Sequence, residues 1–328
     1  MSELLRIIDA RTKLAGTNKV EILLFRLGTD PTSGANELFG INVFKVREIM
    51  VRPQLHHPPH RQPGVEGIFS LRGTLIPVIN LPAYCGLQTQ EPPNVLIVTE
   101  YNNHTQGFLV ESVETILRCD WTQVRTPPPA FGSSAQRGLI TAVVQTDDYG
   151  LVLLLDVEKI LLETVAPPHD DHAYTAVEPI SSAYPLHVVY CDDSLVARKQ
   201  IERTLQHLGA NGTGFTNGKD AWVYLKKCVG TALEQNVPIS RLITAVLSDI
   251  EMPEMDGFAL TRAIKSDPNL QAIPVIIHSS LSGAANEQLA KSVGADGYVS
   301  KFEPFRLADT LRAVIANTTD NVYASNTA

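Results

Sequence analysis

Hydrophobic and polar positions split this chain into two halves with different periods. Upstream, short alternating or apolar runs recur between turn signals, at 20–27, 38–46, 67–71, 75–81, 95–99, 107–113, 139–145 and 151–156. A period of two between turn residues is the mark of strands, so this half is predicted to be all-β. Only 1–17, where Leu4, Leu5, Ile7, Ile8 and Leu14 fall at roughly helical spacing, and 157–162 read as helices.

Downstream the pattern changes to strand then helix. The strand-like runs 186–190, 213–215, 243–248, 275–278 and 297–299 are followed by helical runs at 194–208, 218–228, 257–266, 284–293 and 304–316. Such alternation predicts a parallel sheet wound on both faces. The run Leu186, His187, Val188, Val189, Tyr190 is nearly continuous apolar, as a central strand covered on both sides should be. Between the halves, Pro167, Pro168, Asp170, Asp171, Pro179, Ser181 and Ser182 crowd one stretch, so 164–184 is predicted to be a linker.

Composition narrows the function classes. The 328 residues are 44% hydrophobic and 19% charged, ordinary for a folded chain. Lys plus Arg number 27 against 35 Asp plus Glu, a net charge of −8, so no general attraction to a phosphate backbone exists and nucleic acid is not expected as a partner. No apolar run approaches the roughly 20 residues of a membrane span, and the N-terminus lacks a signal-peptide core, so a cytoplasmic protein without membrane insertion is expected. Cys85, Cys119, Cys191 and Cys228 are widely spaced, which suggests neither a zinc cage nor a disulfide framework.

Candidate chemistry sits in the second half. In an open α/β sheet ligands bind beyond the carboxyl ends of the strands. Asp192 and Asp193 follow the first run, Asp249 the third, Ser279 and Ser280 the fourth, and Lys301 the fifth. Singly, Asp192 and Ser194 read equally as N-caps and Lys301 as a solvated turn residue. Together they form a convergent set. Clustered carboxylates are costly without a hard cation, which points to Mg²⁺. Beside such a cation Asp249 could act as a carboxylate nucleophile toward phosphorus, with Lys301 and the Ser279 hydroxyl holding phosphoryl oxygens.

These residues, with Ile250, Glu251, Met252, Pro253, Glu254, Met255, Asp256 and Gly257 after Asp249, resemble a response-regulator receiver domain over 185–317, of flavodoxin-like fold, leaving 318–328 as a tail. The resemblance implies that Asp249 accepts the phosphoryl group and that Asp192, Asp193, Asp249 and the backbone carbonyl of Glu251 hold Mg²⁺. It makes Ser279 and Tyr298 switch residues, Tyr298 reading equally as an aromatic packed at a strand end. The family usually has proline directly after the lysine, whereas Phe302 follows here and the first proline is Pro304.

In the first half, Gly64 to Leu81 reads as two apolar strands meeting at a tight turn with Arg72 and Gly73 at its tip. With Phe39 to Ile49 and the closing 151–162 run, it resembles a CheW-like coupling domain over 18–163, a fold of two small five-stranded β-barrels. That resemblance implies chemoreceptor (methyl-accepting chemotaxis protein) signalling tips and the histidine kinase CheA as partners, with recruitment to membrane receptor arrays. It places Arg72, Val46 and Glu48 at or near partner surfaces, Val46 reading also as plain core. The whole then reads as a phosphorylation-regulated chemotaxis adaptor and not an enzyme. Two alternatives are a phosphate sink on a scaffold and an aspartate-nucleophile phosphatase, the latter disfavoured because Ser194 stands where a second acid of a DxD pair would be. His56, His57 and His60 beside Arg61 read as a solvated loop, and Asp147 and Asp148 before Tyr149 and Gly150 as a hairpin turn.

Overall fold

The computed structural model describes residues 19–59, 64–101, 104–128, 139–164, 178–180, 184–280, 284–301 and 303–325. The chain forms two compact units, Met1–Pro168 and His169–Ala328. The expected helix over 1–17 and most of the expected linker lie outside the described residues.

Among the described residues the first unit has eleven strands: β1 (Lys19–Arg26), β2 (Leu38–Asn42), β3 (Val46–Val51), β4 (Val65–Leu71), β5 (Thr74–Asn80), β6 (Val95–Tyr101), β7 (His104–Val110), β8 (Ser112–Asp120), β9 (Val124–Arg125), β10 (Ile140–Thr146) and β11 (Gly150–Leu155). A short helix α1 (Leu81–Cys85) follows β5, and α2 (Val157–Thr164) follows β11. One sheet runs β8-β1-β2-β11-β10-β9 and the other β3-β6-β7-β5-β4. Among the described residues the first sheet thus has six strands where five were expected, and the second has five. A 3-10 turn at Trp121–Gln123 swings the chain so that Val124 and Arg125 pair with Val144 and Val143.

The near-continuous apolar sequence of β1 has a simple cause, since both its faces are covered. Val20, Ile22 and Leu24 enter one cluster with Trp121, Val144 and Val152, while Leu23 and Phe25 enter another. That second cluster also takes Ile79, Ile97 and Phe108 from the other sheet, so the two sheets share a core.

Three elements depart from the sequence pattern. The run 38–46 is not one strand, because Asn42 accepts a hydrogen bond from Phe44 N and caps a 3-10 turn at Val43–Lys45, after which the chain restarts as β3. Strand β8 was not visible as a run, since most of its residues are only half-buried and polar ones interrupt it. Helix α1 is set by Asn80, whose side chain accepts from Ala83 N, and stopped by Gly86 in the left-handed region.

The second unit alternates β12 (His187–Cys191), α3 (Leu195–His207), β13 (Asn211–Phe215), α4 (Gly218–Gln235), β14 (Ala245–Ser248), α5 (Gly257–Ser266), β15 (Val275–Ser279), α6 (Ala284–Ser292), β16 (Gly297–Ser300) and α7 (Pro304–Ser325). The order β13-β12-β14-β15-β16 is parallel throughout. In β12, Val188 and Tyr190 face one core and Val189 and Cys191 the other, as helices on both faces require. Helix α4 runs past the expected end at 228 to Gln235, where Asn236 closes it in the left-handed region, and α7 continues past 317. The end of the expected linker is fastened to this unit. Glu178 O accepts from Arg312 at 2.8 Å, Ile180 N donates to Leu208 O at 3.0 Å, and Tyr184 lies under the Arg241 guanidinium.

Candidate functional site

Parallel strands put all their carboxyl ends on one side of the sheet, and the polar residues at those ends meet there. Asp192 directly follows β12; its N–H donates to Phe215 O at the end of β13, and its Oδ1 accepts from Ser194 N at 2.9 Å. Ser194 then caps α3 by accepting from Ala197 N. Asp249 directly follows β14, its N–H donating to Cys191 O and its Oδ1 accepting from Ile250 N at 2.7 Å. Carboxylate oxygens of Asp192, Asp193 and Asp249 all lie within 4.8 Å of one another.

Lys301, at the end of β16, reaches into this cluster. Its Nζ donates to Asp249 Oδ2 at 3.0 Å and pairs with Asp192 Oδ2 at 3.0 Å. All three groups are buried, at 2%, 3% and 0% exposure. Three carboxylates, two of them buried, around one ammonium leave an excess of negative charge, which a divalent cation with oxygen preference would neutralise. The donor set is therefore consistent with a Mg²⁺ site of the kind receivers carry.

Ser279 ends β15 fully buried, and its backbone carbonyl accepts from Lys301 N at 3.0 Å. Its side chain hydrogen-bonds the Tyr298 hydroxyl, while burial and then the Asp249 and Glu251 carboxylates hold that phenol well above its ordinary pKa. Glu251 is buried in the loop after Asp249. Burial likewise pushes the Cys191 thiol, one residue before the acidic pair, up to about 12. Among the described residues no peptide bond is cis, and Phe302 lies outside them.

One necessary residue, Gly257, stood in the motif after Asp249 but was given no role by the sequence reading. A Cβ on Gly257 would stand 1.9 Å from Asp249 O, so the loop can close over the start of α5 only with glycine there. Its N–H donates to Ile250 O at 3.0 Å. A glycine at the first position of a helix, directly after the N-cap Asp256, was the available signal.

In the first unit, the β4–β5 turn carries Arg72 and Gly73 at positive φ, 52° and 88°. Arg72 is 70% exposed at its side chain and pairs with Glu48 Oε2 at 3.1 Å. Val46 does not join them. It is 1% exposed in the core opposite Thr99, and a register shift between Val46 and Glu48 breaks the alternation that would put both on one face, so the Val46 side chain is not at a partner surface. His57 Nδ1 lies 2.9 Å from Glu66 O, His56 bridges to Ile68, and His60 and Arg61 lie outside the described residues. The segment 147–149 is the β10–β11 turn, with Tyr149 N donating to Thr146 Oγ1. No helix among the described residues is long and apolar enough to cross a membrane.

Residues 21–165 match the CheW-like domain family and residues 188–314 the response regulator receiver domain family. The chain is 29% identical to Chemotaxis protein CheV3 of Helicobacter pylori, across 91% of this chain and 95% of that protein. It is 29% identical to Chemotaxis protein CheV2 of the same organism, across 95% and 100%. Chemotaxis protein CheW of Klebsiella aerogenes is 29% identical over 46% of this chain and 87% of its own length.

Proposed function

Because the chain is a CheW-like domain fused to a receiver domain and is similar along nearly its whole length to chemotaxis proteins named CheV, we propose that it is a chemotaxis adaptor regulated by phosphorylation of Asp249. The observation that carries this reading is the buried Lys301 ammonium, 3.0 Å from both Asp192 and Asp249 within a cluster of three carboxylates.

In this reading Asp249 Oδ2 attacks the phosphorus of a phosphodonor such as the kinase phosphohistidine. The bond from phosphorus to the donor atom breaks, the donor leaves with that electron pair, and an acyl phosphate forms. Ile250 N–H holds the other carboxylate oxygen, and Lys301 moves its contact to a phosphoryl oxygen. Asp192, Asp193, Asp249 and the Glu251 carbonyl would hold Mg²⁺, whose chemistry there would be to neutralise charge on the transferring group. Ser279 Oγ then donates to the phosphoryl group instead of engaging Tyr298, and the freed Tyr298 side chain reports the change.

The first domain, over 18–163, would dock chemoreceptor signalling tips and the kinase CheA, with the Arg72–Glu48 pair on the exposed hairpin contributing. The protein is then cytoplasmic and recruited to membrane receptor arrays. The test is incubation with acetyl phosphate and Mg²⁺, followed by capture on receptor signalling tips and kinase with and without the phosphodonor. Labelling that Asp249→Asn abolishes, and capture that changes with labelling, are the expected results. Equal labelling of Asp249→Asn would overturn the phosphoacceptor assignment, and normal capture of Arg72→Glu would remove that residue from the interface.

A further inference from the structure

Helix α3 begins one residue after the acidic pair, and its first turn carries a cation, Arg198, four positions past the N-cap Ser194. A positive side chain is electrostatically misplaced at that end of a helix, where the unpaired N–H groups already supply partial positive charge. The structure shows what compensates. One terminal nitrogen of the Arg198 guanidinium, Nη1, donates to the backbone carbonyls of both Asp192, at 2.7 Å, and Asp193, at 3.0 Å.

Two consecutive carbonyls tied to one nitrogen fix the peptide between the two acids, and with it the directions in which both side chains leave the backbone. The Asp192 N–H to Phe215 O bond and the Ser194 N–H to Asp192 Oδ1 bond hold the two ends of the same turn. Asp193 itself is only partly buried and follows the strand rather than belonging to it, so the Arg198 clamp bears most directly on its backbone.

We propose that Arg198 is a positioning residue for the divalent cation: it presets the Asp192–Asp193 turn so that both carboxylates face Asp249 before the metal arrives. This rests on the reading of the cluster as a Mg²⁺-dependent phosphoacceptor site. Partners that orient metal ligands without touching the metal are commonly worth about tenfold or more in affinity. A guanidinium acting merely as a neighbouring charge would have the opposite effect, since removing a cation beside three carboxylates would tighten Mg²⁺ binding. The sign of the change therefore separates positioning from simple electrostatics.

The experiment is a direct titration of the full chain with MgCl₂ by isothermal calorimetry, or by amide NMR shifts, for the parent, Arg198→Met and Arg198→Lys. Acetyl-phosphate labelling across the same Mg²⁺ range is the second readout. Arg198→Met keeps the aliphatic stem and is expected to raise the Mg²⁺ dissociation constant about tenfold. Its labelling should approach the parent rate at saturating Mg²⁺, as loss of metal positioning predicts. An unchanged or lowered dissociation constant would overturn the proposal, as would labelling that stays low at saturation with an unchanged half-point. If Arg198→Met fails to give a cooperative thermal transition, Arg198→Lys decides. It keeps the charge but ends one bond short of the Nη1 position that reaches both carbonyls, so a clear rise in its dissociation constant supports positioning, and parent-like binding overturns it. Failure of the parent itself to bind Mg²⁺ or to label Asp249 would instead refute the underlying reading of the site.

Discussion

Replacing Lys301 by methionine tests the electrostatics of the site at its centre. The ammonium sits 3.0 Å from carboxylate oxygens of Asp192 and Asp249, and the three groups are 2%, 0% and 3% exposed. At an effective dielectric constant of about 20, each contact is worth roughly 5 to 6 kcal/mol before the cost of desolvation. Desolvation offsets much of that gain, yet deleting one partner strands the others, which commonly costs about 3 to 5 kcal/mol. The stranded carboxylates also repel one another, since their oxygens all lie within 4.8 Å.

Lys301→Met should therefore lose about 3 to 5 kcal/mol in EDTA. The loss should shrink when Mg²⁺ is added, because a dication then takes over the neutralising role; at a hundred times its dissociation constant a ligand contributes about 2.7 kcal/mol. In an Asp249→Asn background the same substitution should cost at least about 1 kcal/mol less, because one of the stranded charges is gone. The chain has two tryptophans, so urea unfolding in a Trp121→Phe background reports the second unit alone through Trp222. A loss below about 1 kcal/mol in EDTA, or an identical loss with and without the Asp249 carboxylate, would refute the charge argument.

Gly257→Ala should cost about 1 to 3 kcal/mol or more and depress labelling of Asp249, because its Cβ would meet Asp249 O at 1.9 Å. Gly230→Ala, on α4 with open space around it, should instead stabilise by up to about 1 kcal/mol, and equal effects in urea melts would contradict the packing. Asp256 caps α5 by accepting from Ala259 N, and burial raises its carboxyl pKa above 3.8. The folded state therefore favours the neutral acid, so its contribution to stability is fully present below pH 3.8 and is lost as pH rises through the folded value. Asp256→Asn keeps the cap without the charge and should be no less stable than the parent at pH 7, any advantage vanishing in acid; clear destabilisation at pH 7 would sink this reading. Limited proteolysis should cut first between Thr164 and Glu178, since Glu178 and Ile180 are already hydrogen-bonded to the second unit. Early cuts inside either unit would contradict the proposed boundaries.

The alternation of strand and helix runs after Leu186 was enough to set a parallel sheet. Strand direction then put Asp192, Asp249, Ser279 and Lys301 at one edge with no knowledge of distance. The first unit was legible as β but not strand by strand, because β8 is half-exposed and polar, and β3 is split from β2 by one capping side chain, Asn42. Other features depend on groups distant along the chain meeting in space, which no local period encodes. Lys301 touches Asp249 across 52 positions of sequence, and the β12–β14 pairing brings Asp249 N to Cys191 O. Val46 parts from Glu48 because a register shift against β6 falls between them, while Gly257 is obligatory only because a carbonyl eight residues earlier folds back onto it. The sequence by itself determined the type and order of the elements in the second unit, the β character of the first, and the chemistry at the parallel strands' ends, since these follow from nearest neighbours and strand polarity. Tertiary structure alone decided which of those groups approach within 3 Å, which lose their water, and which backbone atoms leave no room for a side chain, because each of these is a property of non-local packing.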